Sequence, residues 1–162
     1  MRKVVCNTTP LLSLLKIDRL GVLKELYGQI TIPEAVVGEV DAGRDREYHI
    51  DLRTLDRIRI VPIRSASARL FLFDLDDGEA ETIILAQEQS ADLAIIDEKL
   101  GRRYAAQLGI PVTGTIGVLL KAKERGLIPA VAPLLLELRD KSSWIDDALF
   151  EKALVIAGER TS

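Results

Sequence analysis

The chain reads as an α/β fold: a central, mostly parallel sheet of about four to five strands, flanked by helices. Three observations predict it. Short apolar runs alternate with amphipathic helical segments from end to end. The run 92–96 (Asp92-Leu93-Ala94-Ile95-Ile96) is apolar enough to be a buried strand. Glycines and prolines fall between the runs rather than inside them. A length of 162 residues fits one domain, 1–162, that buries roughly two-thirds of its unfolded surface and holds a core without staples. There is no internal repeat, low-complexity segment or linker.

The elements follow in order. Lys3-Val4-Val5-Cys6 is the first strand. Thr9-Pro10 then supplies an N-cap and a proline at the first helical position, and Leu11, Leu12, Leu14 and Leu15 continue with helical spacing. A short helix runs from about Arg19 to Leu26 and stops at Gly28. Gln29–Ile32 is a short strand, and Pro33 opens a helix that Gly43 ends. The charged stretch 44–57 is an exposed loop or solvated helix. Ile58–Ile63 alternates arginine with isoleucine and valine, as a half-exposed edge strand does. Residues 65–74 form a short helix. Asp76-Asp77-Gly78 breaks the chain and caps a helix from about Glu79 to Gln89. After the strand at 92–96, a helix runs from about Glu98 to Leu108 and Gly109-Ile110-Pro111 ends it. Val112-Thr113 is the last strand, Thr115 caps a helix through Arg125, and two final helices occupy about 130–141 and 146–157.

Composition excludes several classes of function. Net charge is −3, which argues against a protein that grips nucleic acid by a broad basic surface. It leaves room for a local acidic metal site. Aromatics are 4%, so platforms for stacking bases are scarce. Cys6 is the single cysteine, so no intrachain disulfide or thiolate zinc site forms, and a reducing cytoplasm is the expected setting. Its place in an apolar strand makes Cys6 a core residue rather than a nucleophile. His49, the single histidine, sits among charges between Arg44 and Asp51 and reads as a surface side chain; nothing near it supports a Ser/His/Asp triad. The N-terminus lacks the apolar region of a signal peptide, and no apolar stretch reaches the ~20 residues of a membrane span. Neither GxGxxG nor GxxxxGK[ST] occurs, so a nucleotide-binding module is poorly supported.

In an open parallel sheet, ligands bind at the carboxyl ends of the strands. Asn7 closes the first strand and Asp97 the run 91–96. Glu81 lies in the opening turn of the helix between them, and Glu39 borders the buried face of the helix after Pro33, beside Val36 and Val40. Each also has a plainer role. Asn7 satisfies backbone groups beyond its strand, Glu39 and Glu81 are solvated, and Asp97 caps the helix that starts at Glu98. Glu79 and Glu81 are two positions apart, about 200° on a helix, so a regular turn points only one of them into a cleft. Asp76 and Asp77 read as turn and N-cap residues.

Four segments resemble the successive blocks of the PIN-domain family, in order and with suitable spacing. They are Val4-Val5-Cys6-Asn7-Thr8-Thr9-Pro10-Leu11, Ile32-Pro33-Glu34-Ala35-Val36-Val37-Gly38-Glu39-Val40, Asp77-Gly78-Glu79-Ala80-Glu81-Thr82-Ile83-Ile84-Leu85-Ala86 and Ala94-Ile95-Ile96-Asp97-Glu98. The nearest likeness is to the prokaryotic VapC-like branch, the toxin nucleases of toxin–antitoxin pairs. The resemblance implies a three-layer PIN-like fold, a Mg²⁺- or Mn²⁺-dependent ribonuclease, an RNA substrate and a small antitoxin partner; a homodimer is expected from the apolar final helices. It places the metal-site positions on Asn7, Glu39, Glu81 and Asp97, with Glu39, Glu81 and Asp97 catalytic, and matches Thr8 to the small hydroxyl residue after the first position. Such hard oxygen ligands suit Mg²⁺ or Mn²⁺, which would activate water and stabilise charge on a phosphate. Thr8, Lys99, Arg102 and Arg103 are the expected contacts to RNA, against the plainer reading of Lys99, Arg102 and Arg103 as a solvated helix face.

The family pattern has aspartate where this chain has Asn7. The amide oxygen still ligates a metal but brings no charge. Four clustered carboxylates make six repulsive pairs and three make three, each costing about 3 kcal/mol at ~5 Å and an effective dielectric of ~20. Asn7 therefore relieves an empty site and weakens its pull on a cation. That opens an alternative: a catalytically weakened or inactive PIN-fold module that binds nucleic acid or protein. The final helices carry Leu134, Leu135, Leu136, Leu138, Trp144, Leu149, Phe150 and Leu154, enough apolar surface for core and for a partner or dimer face.

Overall fold

The computed structural model describes residues 2–43, 46–142 and 144–160. Its centre is a sheet of five short strands: β1 (Val4–Cys6), β2 (Ile30–Ile32), β3 (Ile58–Ile60), β4 (Leu93–Ile95) and β5 (Val112–Thr113). They lie in the order β3-β2-β1-β4-β5 and every pairing is parallel. The chain steps outward from β1 to β2 to β3, then returns to the other side of β1 to lay down β4 and β5. The direction of winding thus reverses between β1 and β4, which makes the carboxyl ends of these two strands the topological switch point.

Alternation along the strands divides the interior into two cores. Val4, Cys6, Ile30, Ile32, Leu93 and Ile95 face one side; Val5, Ala94 and Ile96 face the other. The second face is covered by α4 (Asp77–Glu88) and α5 (Lys99–Gln107), through Ala80, Ile83 and Ala105. The first is covered by α1 (Thr8–Lys16), α2 (Gly21–Tyr27), α6 (Thr115–Glu124), α7 (Ala132–Lys141) and α8 (Asp147–Ile156). Between them, α3 (Glu34–Asp41) touches both α1 and α4 and so links the two helical layers. This is the expected three-layer α/β arrangement, with a sheet that is parallel throughout.

The edge strand is shorter than the expected 58–63. Val61 N still donates to Ile32 O at 3.0 Å, but β2 ends there and the chain passes through Pro33 into α3, so the edge strand has no further partner. The 44–57 segment holds two 3-10 turns, at Arg46–Tyr48 and Leu52–Thr54, tied down by fully buried Leu52; residues 44 and 45 lie outside the described residues. The helix expected at 65–74 is a 3-10 stretch, Ala66–Leu72, with none of its residues buried, and Leu70, Phe71 and Phe73 are 76–83% exposed around it. His49 is exposed beside Asp41, away from the strand ends, and Cys6 is fully buried, its thiol pKa pushed well up by that burial. The apolar side chains of the last helices go mainly inward: Leu134, Leu135, Leu138, Phe150 and Leu154 are buried in the larger core, each contributing roughly 2 kcal/mol, while Leu136 is exposed. Among the described residues no helix is long and apolar enough to cross a membrane.

Candidate functional site

Asn7 leaves β1 at the switch point. Its N–H extends the ladder to Ile95 O at 3.0 Å, and its backbone (φ −85°, ψ 174°) turns the chain into α1. The helix therefore starts at Thr8, one residue before the expected cap. Thr9 is not the N-cap: its Oγ1 donates to Glu98 Oε1 at 2.6 Å. Pro10 still sits within the first turn, where a missing N–H costs nothing. Asn7 holds the N-cap position but makes no capping bond. Instead its Nδ2 donates to Glu98 Oε2 at 3.4 Å, and its Oδ1 is buried with no hydrogen-bond partner.

Asp97 and Glu98 leave β4 beside it. Asp97 does not cap α5; Glu98 has that backbone position and directs its carboxylate to Asn7 and Thr9. Asp97 crosses to the start of α6, where Oδ1 accepts Thr115 N and Oδ2 accepts Thr115 Oγ1, both at 2.7 Å. The expected capping residue Thr115 is the first residue of α6, and the N-cap position is Gly114, which has no side chain to offer. Asp97 supplies the missing acceptor from another element. Gly114 must lack a Cβ, because one would stand 2.6 Å from Asp97 Oδ1. Burial raises the Asp97 pKa and Glu98 adds to the rise, while the Thr115 bonds and Arg102 oppose it. Arg102 is itself held by Nη1 donating to Ile96 O at 3.0 Å; Lys99 and Arg103 are exposed on α5.

Glu39 and Glu81 sit further out. Glu39 accepts Thr8 Oγ1 at 2.5 Å and Gly78 N at 3.0 Å, so it ties α3 to the starts of α1 and α4. A Cβ at Gly78 would collide with that carboxylate. Glu81 Oε1 accepts Ala35 N at 3.2 Å, capping α3, whose own N-cap position is Pro33. The α4 acid that faces the strand ends is Glu79. It is buried, closes a capping box with Asp76 (Glu79 N to Asp76 Oδ1, 2.8 Å), and meets the Glu98 carboxyl. Glu79 and Glu81 do point different ways, as helix rotation requires.

The structure therefore brings Asn7, Asp97, Glu98 and Glu79 to one corner and gives Glu39 and Glu81 amide partners at its margin. Sequence spacing did not single out Glu98 or Glu79. The available signals were two consecutive acids at a strand end and the Asp76-x-x-Glu79 capping-box pattern. Burial, Asp76 and Glu98 raise the Glu79 pKa from its ordinary 4.5 to about 7. The folded state thus keeps a proton that the unfolded chain releases between these values. Ionising Glu79 costs stability as pH rises through that window, and the cost is complete above about 7. Glu79→Gln keeps the capping acceptor without the charge. We expect the variant to be more stable than wild type at pH 8, by about 1 kcal/mol after allowing for solvent screening, with the difference vanishing towards pH 4.5. Urea midpoints across that range measure it.

Among the described residues, no three histidine, cysteine or acidic side chains are grouped to hold a metal ion. The donor chemistry nevertheless suits one. Every candidate is a hard oxygen, and Asn7 Oδ1 is a buried acceptor still lacking a partner, one residue from a strand end and bonded through its amide to Glu98. A family model described as a PIN domain matches residues 3–159. No curated protein matches the chain.

Proposed function

This chain belongs to the PIN-domain family, and from that nuclease-like fold we propose that it is a Mg²⁺- or Mn²⁺-dependent ribonuclease. The observation that carries this reading is the unpartnered Asn7 Oδ1, buried at the switch point with Asp97 and Glu98 at the neighbouring strand end. Asn7, Asp97 and Glu98 would hold the cation, with Glu79 behind Glu98 and Glu39 at the margin through Thr8. When bound, the metal supplies a Lewis acid and an activated water for attack on an RNA phosphate. The chain's own part is to hold the site. Thr115 fixes the Asp97 carboxylate through two bonds, and Thr9 fixes Glu98 through one. Lys99 and Arg102 place positive charge beside Asp97 for the RNA backbone. Purified protein should cleave RNA with Mn²⁺ and stop when the metal is chelated. Intact RNA across Mg²⁺ and Mn²⁺ titrations would remove the assignment.

Two observations favour a second reading, a nucleic-acid-binding module that no longer cuts. Asn7 is neutral, and each neighbouring carboxylate already has protein donors. Calorimetry separates the two: Mn²⁺ binding that is lost in Glu98→Gln supports the nuclease. The resemblance to VapC-like blocks supports a role as the toxin half of a toxin–antitoxin pair in the cytoplasm, as a homodimer bound by a small antitoxin. The exposed Leu70, Phe71 and Phe73 offer an apolar surface for such a protein. A small DNA-binding reading frame adjoining the gene would support that role.

A further inference from the structure

We propose that the cleft on the far side of Asp97, between α5, α6 and the approach to α8, is a subsite that takes one unstacked base of single-stranded RNA. This deepens the ribonuclease reading and rests on it for the identity of the polymer. The cleft has a volume of about 320 Å³ and is lined by Asp97, Lys99, Arg102, Ile116, Trp144 and Leu149. That is near the lower end of ligand pockets, roughly 300 to 1,000 Å³, and leaves room for a single ligand unit such as one base.

Its chemistry is divided as a nucleotide's is. Its apolar lining comes from Ile116, Leu149 and the indole of Trp144, the single tryptophan of a chain poor in aromatics. Trp144 is half-buried and packs against the larger core, so its ring is held, and its Nε1 is buried with no partner. The N–H is enclosed, so Trp144 offers the cleft ring surface for stacking rather than a donor. The lining also carries cations. Lys99 is exposed and enters no ion pair among the described residues. Arg102 uses one nitrogen on Ile96 O, and its remaining N–H groups are available to a phosphate. The one acid in the lining, Asp97, has both oxygens engaged by Thr115 and marks the direction of the metal-site corner. An aromatic wall flanked by cations is how proteins hold single strands, because stacking needs a base already out of a duplex.

Trp144 reports on the cleft directly, since no other tryptophan contributes fluorescence. The probe is a fluorescein-labelled, 2′-O-methylated single-stranded oligoribonucleotide with EDTA present, so that nothing is cut. The expected results are quenching of Trp144 on binding, about tenfold weaker binding by anisotropy in Trp144→Leu, and near-normal binding in Trp144→Phe, the size expected for one stacked base. Lys99→Gln should weaken binding several-fold and lower the salt slope by about one. Binding that is unchanged in Trp144→Leu and silent in fluorescence overturns the subsite and leaves the RNA reading standing. No anisotropy change with wild type overturns the RNA reading and the subsite with it. Should Trp144→Leu fail to fold, wild-type quenching and the exposed Lys99→Gln variant decide: their joint absence overturns the subsite.

Discussion

Asp97→Ala should cost the fold about 3 kcal/mol and abolish metal-dependent cleavage, whereas Asp97→Asn should abolish cleavage and cost only about 1 kcal/mol. The difference follows from what Thr115 needs. Thr115 is fully buried, and its N–H and hydroxyl both donate to Asp97 at 2.7 Å. Alanine leaves two buried donors without an acceptor at the first turn of α6, each worth about 1 to 3 kcal/mol, partly offset because burial already disfavours the charged carboxylate. Asparagine keeps the geometry: its oxygen accepts the Thr115 N–H, and its amide donates to the hydroxyl, which can accept in return. It removes only the charge. Denaturant unfolding reads the first quantity and RNA cleavage with Mn²⁺ the second. Wild-type cleavage by Asp97→Asn would take Asp97 out of the chemistry and leave it a helix cap.

Asn7→Asp should have the opposite sign on the metal and a large effect on the empty protein. Asn7 is 2% exposed, and its Nδ2 faces Glu98 Oε2 at 3.4 Å. An aspartate there replaces a donor with an acceptor and adds a buried charge beside Glu98, with Asp97 next to Glu98 at the same strand end. At ~5 Å and an effective dielectric of ~20, each new repulsive pair costs about 3 kcal/mol, less whatever protonation relieves. The metal-free variant should therefore lose several kcal/mol at pH 8 and regain much of it towards pH 5, where its acids protonate. Mn²⁺ should restore stability at pH 8 and should stabilise the variant more than wild type, with a matching gain in affinity by calorimetry. If Mn²⁺ shifts neither unfolding curve, the corner is not a metal site and the non-catalytic reading prevails. The asparagine thus has a structural account in the metal-free protein: it donates to the Glu98 carboxylate, which an acid would repel.

Much of this corner was legible in the sequence. Asn7 and Asp97 end the two most apolar central strands, and a parallel sheet puts such ends on one edge. Thr8 and Glu39 were assigned to one site by the resemblance, and the structure joins them by a hydrogen bond. The edge position of the 58–60 strand follows from its alternating arginines, since in a sheet covered by helices on both faces only an edge strand keeps a wet face. The partners were less legible. Periodicity makes Glu98 the first helical residue, but it occupies the non-helical N-cap position, where periodicity says nothing about side-chain direction. Rotation along α4 separates Glu79 from Glu81 without saying which faces inward, and the resemblance alone points to Glu81.

Sequence by itself determined the buried strands, the helices that pack on them and the polar residues at the strand ends, because burial on both sheet faces and helical spacing are local patterns that packing only confirms; the exposed 66–72 stretch, which buries nothing, is 3-10 instead. Tertiary structure decided which oxygen meets which donor. Asp97 caps a helix eighteen residues downstream, Glu81 caps one forty-six residues upstream, and Glu98 bonds to residues about ninety positions away. These choices depend on where unsatisfied N–H groups and small residues such as Gly78 and Gly114 end up after the sheet has closed, and that is a property of the folded corner rather than of any segment within it.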